Sequence, residues 1–181
     1  TAIVEAEDGK LLIGMQNGYL GEFDILTNRF TEFPAIDAEG RKLSVTRIHT
    51  IFRRDMNRYM IGSDSGLFFF SRKNGVWSVS GDDLADESIY RKFTNHTVRS
   101  HNNLHALCMD GDDLLIGTFS QGLDLMNLRT GKVINYRNIP GDSTSLCNDY
   151  VYVIFRASDE TLYVGTMSGM CTCLLYTSPS P

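Results

Sequence analysis

No run of the 181 residues approaches the ~18 to 20 consecutive apolar side chains that a transmembrane helix needs. No leader peptide opens the chain. The first residue is a threonine, almost inside a strand pattern, so the beginning reads as truncated and the missing leader says nothing about location. There is no block of like charge. Lys and Arg number 17 against 22 Asp and Glu, for a formal net charge of -5. That balance excludes a basic footprint for nucleic acid and a polybasic segment for an anionic membrane surface. Cysteine is sparse: Cys108, Cys147, Cys171 and Cys173 make no C-x-x-C pair. His49, His96, His101 and His105 look scattered, none at zinc-ligand spacing, so neither a metal nor a cofactor is expected. A helical period is missing as well; the apolar runs are short, β-branched and aromatic, which favours strands.

What the chain does have is a repeat. Leu11-Leu12-Ile13-Gly14-Met15 returns as Tyr59-Met60-Ile61-Gly62-Ser63, then as Leu114-Leu115-Ile116-Gly117-Thr118, then as Leu162-Tyr163-Val164-Gly165-Thr166. A second glycine follows each copy, at Gly18, Gly66, Gly122 and Gly169. An apolar strand and a polar Asp/Asn/Gly turn precede each copy, as in Leu104 to Met109 followed by Asp110-Gly111-Asp112-Asp113. Such residues tolerate positive φ or bond their own backbone, which suits hairpin turns. Another apolar run, a turn and a fourth strand come after it, as in Leu123 to Met126, Arg129-Thr130-Gly131 and Lys132 to Tyr136.

Four short strands per unit, with a period near ~48 residues, predict propeller blades rather than a helical solenoid. The fold expected is all-β, a β-propeller fragment of about three and a half four-stranded antiparallel blades. The blades are placed at about 1–34, 45–80, 102–137 and 150–172, within a partial propeller covering 1–172. The repeated glycine has a physical reason: near a propeller axis adjacent blades crowd, and a residue without Cβ permits close approach. Segment 81–101 is an inserted loop, polar and long enough to be functional or mobile. Its Asp82-Asp83, Asp86-Glu87 and Arg91-Lys92 can change partners on ordering. The last nine residues, Cys173 to Pro181, read as a translated sequencing adapter, since the strand pattern stops in a Ser/Pro run that cannot continue a ladder. On that reading the natural chain continues past 172. The end blades of such a piece are expected to expose an apolar face and to favour aggregation.

The pattern of apolar strand, Asp turn, apolar-Ile-Gly-Thr and second glycine resembles the two-component regulator propeller repeat. Asp149-Tyr150-Val151-Tyr152-Val153-Ile154 through Gly165-Thr166 fits it well, as does Ser143-Thr144-Ser145-Leu146-Cys147-Asn148 before it. The family's tryptophan is replaced by Leu12, Met60, Leu115 and Tyr163, Met15 takes a threonine position, and Gln121 stands where glycine is usual. The resemblance implies the sensor region of a Bacteroidetes-type hybrid two-component system histidine kinase. It implies a periplasmic location in an inner-membrane protein and an oligosaccharide or other small ligand. The partners it implies are the remaining blades of the same propeller and a downstream kinase region, with a homodimer among the possible assemblies. No kinase histidine box or ATP-binding glycine motif lies in this chain, so no enzyme is expected here, and no contact with nucleic acid.

Other motifs fail on context. Gly62-Ser63-Asp64-Ser65-Gly66 has aspartate where a nucleophile elbow needs serine, in a strand–loop–strand setting. Asp110-Gly111-Asp112-Asp113 lacks the rest of an EF-hand loop. Trp77 and Phe68-Phe69-Phe70 read as blade core. Ligand contacts are expected on the loops of one face, which the sheets hold rigid. The candidates are Asp64, His101, Asn102, Asn103, Gln121, Asn148, Asp149 and Tyr150, whose amides, carboxylates and aromatic face suit a sugar. Two alternatives stay open: a propeller-type polysaccharide lyase or hydrolase, which needs paired, pKa-shifted groups at one face, and a protein-interaction scaffold, which needs a contiguous apolar patch.

Overall fold

The computed structural model describes residues 2–7, 9–36, 40–73, 76–79, 103–159 and 161–173. The insert at 81–101, together with His101, Asn102 and the segment after Cys173, lies outside them. The described residues form fifteen strands in four antiparallel sheets. The first sheet is β1 (Ala2–Glu5), β2 (Lys10–Gly14), β3 (Tyr19–Asp24) and β4 (Arg29–Pro34). The second is β5 (Ile48–Arg53), β6 (Arg58–Ser63), β7 (Gly66–Lys73) and β8 (Val76–Val79). The third is β9 (Leu104–Asp110), β10 (Asp113–Thr118), β11 (Leu123–Asn127) and β12 (Val133–Tyr136). The fourth holds β13 (Val151–Arg156), β14 (Leu162–Thr166) and β15 (Gly169–Cys173). Every strand pairs only within its own sheet and with its neighbour in sequence. The first strands lie side by side, β1 on β5, β5 on β9 and β9 on β13, so they form the inner wall around a common axis.

Each junction between sheets is a separate core. Leu12, Leu20, Ile48, Tyr59, Ile61 and Phe70 fill the first. Met60, Leu67, Phe69, Leu104, Leu114 and Ile116 fill the second. Ala106, Leu115, Leu123, Val151, Ile154 and Val164 fill the third. Consecutive residues of one strand thus serve opposite junctions, as Met60 and Ile61 do, which is why the strands read as continuous apolar runs. At the two ends of the stack the outward faces stay wet, and Ile3, Phe30, Val153, Phe155 and Met170 are each more than half exposed.

The repeated glycines sit where the blades meet. A Cβ on Gly62 would lie 2.6 Å from Thr50 Cγ2 and 3.0 Å from the carbonyl oxygen of Leu104 in the next blade. One on Gly117 would lie 2.6 Å from Val151 Cγ1, again in the next blade. The second glycines answer a different need: Gly66 and Gly122 have φ of 121° and 78°, a region that side chains disfavour.

In the second, third and fourth sheets the hydroxyl after the repeated glycine closes the loop to the third strand. Ser63 Oγ donates to the Gly66 carbonyl (3.1 Å), and Thr118 Oγ1 donates to that of Gly122 (2.8 Å). Thr166 Oγ1 donates to Gly169 (2.8 Å). Thr118 Oγ1 also accepts from the Gln121 N–H at 3.0 Å, and Thr118 is fully buried. Thr118→Val is therefore expected to cost about 1 to 2 kcal/mol, because the part-buried Gln121 N–H and the buried Gly122 carbonyl both lose a partner. Thr166→Val should cost a few tenths, water replacing the exposed hydroxyl. Urea titration of the two variants checks this; equal costs would show that the clasp is not what holds the loop.

At the opposite end of the inner wall, charged residues link neighbouring blades. Arg53 Nη1 donates to the Glu5 carbonyl at 3.3 Å, and Arg156 pairs with Asp110. Both arginines occupy the last position of an innermost strand.

Candidate functional site

Three of the innermost strands carry an irregularity at one repeated place. In β5 the register passes from Ile48↔Ser63 to Thr50↔Gly62, leaving His49 without an opposite residue. In β9 it passes from Leu104↔Thr118 to Ala106↔Gly117, leaving out His105. In β13 it passes from Val151↔Thr166 to Val153↔Gly165, leaving out Tyr152. A bulge frees one side chain from the alternation of the strand and re-aims it. Here three successive bulges bring His49, His105 and Tyr152 together along the inner wall. They line an open concavity of about 250 Å³ on the wall formed by the innermost strands.

The loops add to this row. Asp64, in the turn after β6, accepts from or shares a proton with His49, with Oδ1 2.6 Å from Nε2. The His49 and His105 rings stack with centroids 4.0 Å apart and planes 22° from parallel. His105 then meets Phe119, from the turn after β10, at 5.2 Å and Tyr152 at 5.6 Å. Phe119 receives Tyr150 edge-on at 5.2 Å. The result is a strip of five rings from three blades with one carboxylate at its end. Phe119 is 38% and Tyr152 44% exposed, so the strip offers aromatic surface to solvent. Burial, with the His49 charge beside it, depresses the His105 pKa to about 4; Asp64 opposes this and Arg47 adds to it. His105 is thus a neutral donor and acceptor at any pH near 7.

The sequence candidates divide. Asp64 and Tyr150 belong to the strip. Gln121 and Asp149 instead form a brace around Arg137, which donates to Asp149 Oδ2 from Nε (2.9 Å) and Nη2 (2.7 Å) and to Gln121 Oε1 from Nη1 (2.6 Å). Burial raises the Asp149 pKa, but the hydrogen bonds from Arg137 and from the Asn138 N–H outweigh it and leave the carboxyl below its usual range. Asn148 shapes the approach to β13, bonding Ser168 Oγ at 2.8 Å and the Tyr150 N–H at 2.9 Å. Asn103 precedes β9, its carbonyl accepting the Phe119 N–H at 3.0 Å. His101 and Asn102 lie outside the described residues.

Sequence reasoning treated the histidines as scattered and did not single out His49, His105, Phe119 or Tyr152. A usable signal was present: His49, His105 and Tyr152 are each the second residue of an innermost strand. Aligning the repeats on their second glycines, Gly66, Gly122 and Gly169, places the three in one column.

Independent sheets stacked edge to centre around one axis define the class: this is a β-propeller architecture. Comparison with solved structures agrees. The chain superposes over 98% of its length on 22% of the extracellular domain assigned to the hybrid two-component system BT3049 from B. thetaiotaomicron, with TM-score 0.73 and 13% identity. It superposes over 99% of its length on 27% of the corresponding domain of BT4673 from the same organism, with TM-score 0.59 and 21% identity. The β-propeller domain of Cps50 (Swd1) from Myceliophteria thermophila matches at TM-score 0.57 and 16% identity, over 95% of this chain and 52% of that one. These likenesses establish the propeller fold, and two of the three proteins are of the kind that the sequence repeat resembles. The chain spans about a quarter of the length of those two. No family model matches the sequence, and no curated protein matches it.

Proposed function

We propose that this chain is the ligand-binding part of a two-component sensor propeller, that it recognises an oligosaccharide at the concavity of the inner wall, and that the signal passes to a kinase region outside the chain. The observation that carries the reading is the convergence of five rings and Asp64 from three blades. A pyranose presents an apolar C–H face and a polar hydroxyl rim. Phe119, Tyr150 and Tyr152 suit the face, while His49, His105 and Asp64 supply donors and acceptors for the rim. The site rides on turns and bulges, yet clasps such as Thr118 to Gly122 hold them in place, so little ordering cost falls on binding. The likeness to extracellular domains of two-component systems supports a periplasmic sensing role and a kinase partner.

The test is calorimetry of the 181-residue chain against a panel of neutral and acidic oligosaccharides. One class should bind, and Phe119→Ala and Tyr152→Ala should each weaken it about tenfold, corresponding to about 1.4 kcal/mol for a lost stacking surface. Their melting temperatures should stay close to that of the parent, both side chains being partly exposed. Binding that survives both changes undiminished, or no binding across the panel, overturns the reading.

A further inference from the structure

We infer that His49, Asp64 and His105 form a binding site for one divalent first-row cation of the zinc class. The three residues offer one ligand atom each, all within 4.8 Å of one another. They come from β5 and the turn after β6 in one blade and from β9 in the next. His49 Nε2 and Asp64 Oδ1 are 2.6 Å apart, at hydrogen-bond distance, so an entering ion has to part them. With metal–ligand bonds of about 2.0 to 2.2 Å, the ligand atoms of a tetrahedral site lie about 3.4 Å apart; the His49–Asp64 pair therefore opens by under an ångström, and His105 moves by about an ångström and turns off the His49 ring to aim its nitrogen at the ion. Its stacked ring sits on a bulge rather than in a locked core position, so that movement does not disturb the ladder.

The donor chemistry selects the ion. Two imidazoles and one carboxylate suit zinc and its first-row neighbours, whereas calcium and magnesium require oxygen donors. Coordination through Nε2 uses the His49 tautomer with its proton on Nδ1 and replaces the hydrogen bond to Asp64. A fourth position would face the open concavity that His49 and His105 line, where water or a ligand hydroxyl has access. All three residues are partly buried, which separates this set from exposed carboxylates that merely lie close together. No metal-ligand spacing in the sequence announces it, because His105 joins His49 and Asp64 only when β9 packs on β5.

The inference shares residues with the sensing reading but does not rest on it, and it is tested without sugar. The 181-residue chain, stripped with chelator, is titrated with Zn²⁺ by calorimetry and with Co²⁺ by visible absorption. One ion per chain is expected, with a ligand-field band for Co²⁺. His49→Ala and His105→Ala should each weaken Zn²⁺ binding by about 100-fold or more, since even residues that only orient a ligand cost about 10- to 100-fold. Glu32→Gln, on an exposed strand remote from the set, should leave it unchanged. Far-UV circular dichroism accompanies each variant. If an alanine variant loses its strand signal, Asp64→Asn, which keeps a polar partner for His49, takes its place with the same expected loss. Absence of a saturable Co²⁺ band in the parent chain, or unchanged affinity in a natively folded variant, overturns the inference. Failure here leaves the stacking of a sugar on Phe119 and Tyr152 untouched.

Discussion

Replacing Gly62 or Gly117 by alanine is expected to destabilise the fold by about 2 kcal/mol, whereas the same change at Gly165 leaves stability near that of the parent or raises it. The three glycines hold the same position in their repeats, and each lies in extended backbone, so their conformational freedom does not distinguish them. What differs is the neighbour. At Gly62 the new methyl meets the Leu104 carbonyl oxygen at 3.0 Å and the Leu104 Cβ at 3.2 Å, both in the next blade. A backbone oxygen cannot step aside, so the blades themselves have to part. At Gly117 it meets Val151 Cγ1 and the Ala106 Cβ at 2.6 and 3.0 Å, and Val151 is fully buried. At Gly165 the one close atom is Val153 Cγ1 at 2.5 Å, on a side chain that is 54% exposed and free to rotate. Gly165 lies in the last described sheet, so in this 181-residue chain no further sheet packs on it, and a shift of the half-exposed Val153 side chain is set against a gain of about 0.5 to 1 kcal/mol from removing a strand glycine. Chemical denaturation of the three variants gives the comparison. An equal loss at all three would mean that close approach between blades is not the reason for the repeat.

That contrast also marks what the sequence disclosed. The glycine step, the hairpin turns and the four-strand units were legible because each is a local requirement repeated in register. Asp24 and Asn127, for example, both accept backbone N–H groups in the turn after the third strand, and their roles follow from residue type. The candidate site was half legible. Asp64 and Tyr150 stood out as polar or aromatic loop residues, and both reach the strip. Gln121 and Asp149 stood out for the same reason, yet they are occupied by Arg137, a residue with no motif of its own. His49 and His105 lie 56 positions apart in numbering and became neighbours only when β5 packed on β9. Proximity across an axis depends on the stacking of whole sheets, and no local pattern encodes it.

Phe69→Ala and Phe70→Ala are each expected to cost about 3 to 5 kcal/mol, even though they are adjacent on one strand and point to opposite faces. In an antiparallel sheet with one wet face, one of two consecutive side chains is solvated and its truncation is nearly free. Here Phe69 is fully buried in the core between the second and third sheets, with Met60, Leu104 and Leu114. Phe70 is 1% exposed in the core between the first and second, with Tyr59, Leu12 and Leu20. The two cores share no residue, so the losses should add. Since two alanines together would remove about 6 to 10 kcal/mol, comparable with the whole stability of many domains, the milder Phe69→Leu and Phe70→Leu serve for the double variant, at about 1 to 1.5 kcal/mol each. Their sum should hold to within about 0.5 kcal/mol. A near-neutral Phe70→Ala would mean that the first sheet does not pack there, and a strongly non-additive pair would mean that the two junctions are not separate cores.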